Sequence, residues 1–265
     1  MPRLVPWSMR RRTLISIAIL ALTLVGAASS QAVRVAKDGI VVTFNADFSP
    51  HVLPRLHPAP VDVKVTGKVA TTDGSHPPPL RRIEVAINRN GQLETTGLPV
   101  CTAPTLQSTS SKAALARCRP SLVGRGRFHA VVKLGREIDT SGEILAFNSR
   151  SHGRQALLLH LFGATPVRFT LVVPLTIGHL QKGDFGTVLR ANIPRLAGDL
   201  GSVTEIDLTI GRRYSFGGKS RSYVSAACRA PADLNEGIFP FARGSFRFDG
   251  HPEISETLLR VCRVR

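Results

Sequence analysis

The sequence predicts an all-β protein, an antiparallel β-sandwich with one short helix, and three observations support this prediction. Apolar and polar residues alternate, as in Val61-Asp62-Val63-Lys64-Val65, which is the period of a strand with one buried face. Turn dipeptides separate such segments, namely Asp73-Gly74, Asn90-Gly91, Gly217-Gly218 and Asp249-Gly250. Helical composition is confined to Ser111 to Arg117, behind the capping candidates Ser110 and Ser111. The same rhythm is also typical of a sheet closed on itself.

In chain order, the alternation predicts a series of strands. They cover 40–48, 61–65, 83–89, 128–134, 144–148, 156–162, 169–177, 185–193, 203–210, 223–228, 245–248 and 257–264. The apolar run from Leu157 to Ile177 is interrupted by His160, Gly163, Pro166 and Arg168, which a bilayer-spanning helix tolerates poorly. We therefore interpret this run as buried strands.

Residues 1–32 have the layout of a secretory signal peptide. Arg10, Arg11 and Arg12 precede an apolar run from Leu14 to Val25, and small residues follow. Cleavage fits after Ala28 or after Ala32, and Ala32 is favoured. An N-terminal anchor is the alternative, but the run is shorter than the roughly 20 residues that span a bilayer. We expect a secreted or extracytoplasmic protein with no transmembrane span after cleavage.

Four cysteines, an even number, favour disulfides in an exported chain. We expect bridges between Cys101 and Cys118 and between Cys228 and Cys262, because each pair brackets a turn-rich insertion and closes a local loop. A zinc site is the alternative, but no cysteine has a partner at the usual ligand spacing. No metal or other cofactor is expected.

Two segments resemble each other and raise the possibility of an internal duplication. Residues 83–89 match residues 206–212 in their apolar and acidic positions, and each segment is followed by Cys-x-Ala-Pro, at Cys101 and at Cys228. The pattern predicts one unit over residues 33–265, and it also fits two related β halves with an internal boundary near 136–142. Chance similarity between generic strands is the alternative.

The chain is strongly basic, with a formal net charge of +17. A basic surface attracts anionic polymers such as wall polymers or acidic glycans, and export makes nucleic acid an unlikely partner. One hairpin, residues 212–223, combines cations with both tyrosines of the chain. Its candidate binding residues are Arg212, Arg213, Tyr214, Lys219, Arg221 and Tyr223. A four-residue loop would place Tyr214 opposite Tyr223, and a purely structural aromatic pair is the alternative.

Recognisable catalytic motifs are missing from the sequence. It has no Gly-x-Ser-x-Gly elbow and no His-Glu-x-x-His helix, and no catalytic residue is assigned. Glu84, Glu205 and Asp207 lie in predicted strands that could reach a concave sheet face, as the paired carboxylates of a glycosidase do. His160 follows three leucines and is interpreted as a core histidine.

Several local motifs together resemble an uncharacterised family of exported actinobacterial proteins with two cysteine pairs. The motifs are Thr71-Thr72-Asp73-Gly74-Ser75, Gly97-Leu98-Pro99-Val100-Cys101, Lys182-Gly183-Asp184-Phe185-Gly186-Thr187, Arg221-Ser222-Tyr223 and Phe239-Pro240-Phe241-Ala242-Arg243. The resemblance covers residues 61–265 and implies export, but it implies no activity and no site residue.

The sequence therefore favours a secreted or envelope-associated binding or structural protein over an enzyme. Its basic surface would meet anionic polymers of the cell envelope. A secreted hydrolase that acts on polysaccharide is the alternative, and two carboxylates facing each other in a cleft would support it. The ligand and the oligomeric state stay open at this point.

Overall fold

The computed structural model describes residues 32–166, 168–196 and 201–265. Residues 1–31 of the predicted signal peptide lie outside the described residues. The strands are β1 (Val33–Lys37), β2 (Ile40–Ser49), β3 (Val52–Leu53), β4 (Ala59–Pro60), β5 (Asp62–Thr71), β6 (Leu80–Asn88), β7 (Gly91–Leu93), β8 (Leu122–Leu134), β9 (Arg136–Ser151), β10 (Arg154–Thr165), β11 (Phe169–His179), β12 (Phe185–Asn192), β13 (Gly201–Ile210), β14 (Arg213–Phe216), β15 (Lys219–Ser222), β16 (Val224–Ala226), β17 (Glu236–Phe248) and β18 (Ile254–Val264). The helices are α1 (Ala103–Leu106) and α2 (Ser111–Cys118), and a short 3-10 turn (Arg119–Ser121) follows α2.

One sheet of 13 strands contains most of the chain, in the order β1-β2-β5-β13-β8-β9-β10-β11-β12-β6-β17-β18-β3. Within the described residues every ladder is antiparallel except the short pairing of β3 with β18. The sheet curls, so that the apolar sides of its opposite walls face each other across the main core. This arrangement follows from the alternation in the sequence, which places the aliphatic residues of each strand on one face.

The two ends of the curled sheet meet along a seam held mainly by side chains. Arg260 on β18 donates from Nε to the carbonyl of Ala46 on β2 at 2.9 Å, and its guanidinium also contacts Asn45 Oδ1. At one end of the seam, Lys37 Nζ donates to the carbonyl of Glu253 at 3.1 Å. The curl is therefore closed by these contacts and by β3, which pairs with β18 at the other end.

A small sheet, β4-β16-β7, lies across one end of the curl. Val61 joins it through a backbone hydrogen bond from its N–H to the carbonyl of Val224, at 3.1 Å. The Cys228–Cys262 disulfide connects the segment after β16 to β18. We call this small sheet the cap. It positions Tyr223 and Val224 at the bottom of the interior.

The two helices cover the outer face of β9 and β10. Ser110 caps α2 by accepting a hydrogen bond on its side chain from the Ala113 N–H, at 3.3 Å. The Cys101–Cys118 disulfide joins the start of this segment to the end of α2. Beneath the helices a compact second core contains Leu106, Ala114, Leu145, Phe147 and Leu158. No helix within the described ranges has both the length and the apolar character needed to cross a bilayer.

The predicted all-β class, the short helix between Cys101 and Cys118 and both disulfides are confirmed. The strand ends differ from prediction where polar residues, glycine or proline break the alternation. β17 is 13 residues long, although only its last residues were predicted. Residues 136–142 form the first half of β9, which pairs with β8. The duplication and the boundary near these residues stay predictions.

Candidate functional site

The interior of the curled sheet contains two adjoining apolar chambers. The cap-side chamber has a volume of about 190 Å³ and is bounded below by Tyr223 and Val224. The loop-side chamber has a volume of about 140 Å³ and extends towards Pro79, Pro194 and Leu196. The chambers share the lining residues Gly67, Ile83, Leu159, Leu175, Ile206, Leu208 and Phe246. We call these shared residues the waist.

Aliphatic side chains from many strands form the walls. On β5, β6 and β13 the residues that line the cap-side chamber alternate with polar or charged residues that point outward, such as Lys64, Glu84 and Asp207. The lining of the loop-side chamber on the same strands also includes Lys68, Arg81 and Glu205. Many of the lining side chains are only half-buried, although they lie inside the molecule, and seven of them come from the walls beside and at the waist. These seven are Val63, Val65, Ile83, Val85, Ile87, Leu159 and Ile206. These side chains therefore border empty space and lack packing partners on that side.

Few polar groups interrupt the cap-side chamber. Gln92, Thr187, Ser225 and Tyr223 are the polar residue types in its lining. The ring of Tyr223 is 1% exposed, and its hydroxyl is buried without a hydrogen-bond partner among the described residues. Burial raises the pKa of this phenol well above its usual value. Such walls suit an apolar molecule and offer almost nothing to a charged one.

The predicted basic hairpin forms outside the chambers, with a register that differs from the expected one. Gly217 and Gly218 both have positive φ, 59° and 71°, so the loop has two residues and Tyr214 lies opposite Arg221. Tyr223 lies beyond the hairpin and is buried in the core. The two tyrosines therefore do not share an exposed face.

Three of the candidate hairpin residues hold the hairpin against the body of the protein. Arg212 Nη1 donates to the carbonyl of Leu122 at 2.9 Å, and Tyr214 Oη donates to the carbonyl of Thr96 at 2.9 Å. Arg221 Nη1 contacts Glu94 Oε2 at 3.0 Å. Hydrogen bonding from Thr96, together with the charge of Arg221, lowers the pKa of Glu94.

The remaining two hairpin cations, Arg213 and Lys219, are exposed. They are the hairpin residues that a solvent-borne partner reaches most easily. No contact tests their binding role, which stays a prediction.

Of the three carboxylates singled out in the sequence, Glu205 borders the loop-side chamber, and Glu84 borders an outer groove that also contains Glu253. Glu84 on β6 is paired with Arg190 at 2.7 Å, and Asp207 on β13 is paired with Lys64 at 3.1 Å. In the sheet order, β8 to β12 lie between β13 and β6. Within the described ranges no three His, Cys, Asp or Glu side chains come together as a metal site.

His160 is a core residue, as the sequence indicated. It is fully buried beneath the helices, and its Nε2 lies 3.0 Å from the carbonyl of Thr109. Because a carbonyl only accepts, this ring nitrogen carries the proton. Burial lowers the pKa of the imidazole below its ordinary value and so favours the neutral ring.

Comparisons with protein-family models, curated proteins and solved structures gave no match. The resemblance to an exported actinobacterial family therefore stays a prediction. The geometry of the chain is therefore the basis for assigning a function. Sequence reasoning missed the chambers, because alternation places aliphatic residues on an inner face but does not show whether the opposite wall fills the space between.

Proposed function

We propose that the protein binds an apolar molecule inside the curled sheet and acts by binding, not by catalysis. The observation that carries this proposal is the pair of adjoining chambers, with half-buried aliphatic side chains as walls. Concave apolar cavities of this kind are the usual form of small-molecule sites.

The energetic cost of an empty chamber supports the proposal. Protein interiors are packed as densely as organic crystals, and an empty apolar cavity costs about 24 cal/mol per Å³. At that rate, the cap-side chamber of about 190 Å³ costs about 4 to 5 kcal/mol if it is left empty. Total stabilities of domains are about 5 to 15 kcal/mol. An apolar occupant would recover much of this loss.

The proposal is tested by filling the cap-side chamber with protein. In Val65→Phe the added ring enters the chamber, whereas in Lys64→Phe the same ring sits on the exposed outer face of the same strand. Binding is measured by the fluorescence of a dansyl-labelled fatty acid and by native mass spectrometry. The loss of about two buried methylenes of ligand corresponds to a decrease in affinity of about tenfold.

We expect Val65→Phe to weaken binding by at least this factor and Lys64→Phe to leave it unchanged. Thermal unfolding of both variants checks that they are folded. Failure of the wild-type protein to bind the probe, or equal binding by the wild type and Val65→Phe, would contradict the proposal.

A second candidate function is the binding of anionic polymers on the outer surface. Arg82 on β6 lies directly opposite Arg247 on β17, and like charges opposite each other are unfavourable. Within the described residues Arg247 has no ion-pair partner. The two arginines border a polar groove whose other lining residues are Glu84, Arg243, Ser245, Glu253 and Ser255. Glu84 lies 3.8 Å from Arg82 and offsets part of its charge. An anionic polymer in this groove would relieve the repulsion.

Retention on a heparin column tests this second candidate. We expect retention at low salt that weakens as salt increases, and a large decrease in the double variant Arg82→Ser/Arg247→Ser. The double variant Arg213→Ser/Lys219→Ser removes two exposed cations from the hairpin and serves as the matched control. If the hairpin variant alone loses retention, the hairpin and not the groove is the polymer site.

A further inference from the structure

We propose that the occupant is a single long aliphatic chain that passes through both chambers, and that Gly67 determines how long a chain the protein accepts. This inference rests on the proposed function. It adds the class of ligand and a residue that sets specificity. The residues at the waist set the size of the passage between the chambers.

Gly67 occupies the waist between two bulky neighbours. Across the sheet it pairs directly with Phe44 on β2 and with Ile206 on β13. A Cβ added at Gly67 would lie 3.3 Å from Ile206 Cγ1, closer than an ordinary contact. Because Gly67 has no side chain, it leaves room between the two large side chains of Phe44 and Ile206 on the neighbouring strands.

The backbone does not require glycine at this position. Gly67 lies in the middle of β5, outside the left-handed region of φ that favours glycine. Glycine in the interior of a strand weakens the strand and often marks a place where a ligand approaches closely. The fold therefore explains this glycine by the space at the waist, and not by a requirement of the backbone.

The extent of the two chambers indicates a long occupant. Along β2 the lining runs from Val42 in the loop-side chamber to Phe48 in the cap-side chamber. Six residues of strand correspond to about 20 Å. A flexible aliphatic chain can follow such a space from one chamber, past the waist, into the other. A short chain needs only one of the two chambers.

Chain-length selectivity tests the inference. Affinities for hexadecanoate and octanoate are measured by displacement of the dansyl-labelled fatty acid. The proteins compared are the wild type, Gly67→Ala, Gly67→Leu and the control Thr66→Leu, whose substitution lies next to Gly67 on the outward side of β5. We expect Gly67→Leu to lower the affinity for hexadecanoate by about a hundredfold, because one chamber is cut off. Octanoate binding should change by less than about threefold, Gly67→Ala should be intermediate, and Thr66→Leu should match the wild type.

Ile206→Phe narrows the waist from the facing strand and should reproduce the selective loss. It keeps the inference testable if Gly67→Leu does not fold. If the wild type binds hexadecanoate and the folded waist variants bind it equally well, or lose both acids equally, the inference is overturned while the proposed function stands. If the wild type binds neither these acids nor the probe, the proposed function itself fails.

Discussion

The two faces of β10 show how one apolar strand can serve two different environments. Leu158 and His160 point towards the helices and are fully buried in the second core. Leu159, between them in sequence, points into the chambers and is only half-buried. Leu158 and Leu159 are equally apolar, yet Leu158 meets a packed core and Leu159 borders a void. Apolar character therefore indicates burial, but it does not indicate close packing.

The difference arises from what lies opposite each face. On the outer face, the Cys101–Cys118 disulfide holds α1 and α2 directly on β9 and β10. On the inner face, the opposite wall belongs to the same curled sheet of 13 strands. A sheet that closes with many strands is wider than side chains from its walls can fill, so a ligand cavity is left.

The largest expected effect comes from truncating each face of β10 in turn. We expect Leu158→Ala to lower the free energy of unfolding by about 2 to 5 kcal/mol, because it leaves a cavity in a packed core. Leu159→Ala, one residue away, should cost less than about 1.5 kcal/mol, because its side chain already borders a void. Urea unfolding measures both values. Equal losses would contradict the difference in packing.

Removal of the Cys101–Cys118 disulfide tests how much the attachment of the two helices contributes to the stability of the fold. The bridge spans 17 residues, and the chain-entropy relation gives a loss of about 3 kcal/mol for the double variant Cys101→Ser/Cys118→Ser. Fatty-acid binding should persist at the temperature where the variant is folded, because the helices lie outside the chambers. Loss of binding by a folded variant would show that the two faces are coupled.

A smaller change, with the opposite sign, is expected at Tyr223. The hydroxyl is buried without a partner among the described residues, so Tyr223→Phe removes an uncompensated polar group. We expect the variant to be more stable by about 1 kcal/mol, visible as a higher midpoint of thermal unfolding. Tyr214→Phe is the control, and it should be slightly destabilised because it loses the hydrogen bond to Thr96. A less stable Tyr223→Phe would mean that the hydroxyl has a partner in solution.

The smallest effect concerns pH and the packed face of β10. Burial lowers the pKa of His160 below its ordinary value of 6.5, so the unfolded chain binds a proton there more readily than the folded chain. The stability contributed by the neutral ring is complete above about pH 6.5 and decreases as the pH falls towards the lower folded pKa. Urea unfolding between neutral and mildly acidic pH should show this slope in the wild type and less of it in His160→Gln. Identical slopes would contradict the assignment.

Much of the fold could be predicted from local patterns. The alternation in residues 61–65 predicted part of β5, and the loop-closing positions of the cysteines predicted both bridges. β1 was missed because it is a short edge strand with two cations among five residues. β17 was predicted only in part, since Gly237, Pro240 and Gly244 interrupt its pattern.

The candidate site was harder to predict than the fold. The hairpin at 212–223 was predicted as a binding site because it concentrates cations and tyrosines. The structure uses Arg212, Tyr214 and Arg221 in contacts with the body of the protein. The chambers depend on residues such as Val65, Gly67 and Ile206, which look like ordinary strand residues. The sequence does not show whether an inward-facing valine packs against another side chain or borders a cavity.

The sequence by itself determined the all-β class, the inward and outward faces of the strands that alternate clearly, and the two bridges, because these depend on alternation and on neighbours along the chain. Only the tertiary structure decided that the walls stay apart around two chambers and that Gly67 lies at their waist. That outcome depends on how far a single sheet curls before its ends meet at Arg260. The curl is a property of all 13 strands together, and no local segment encodes it.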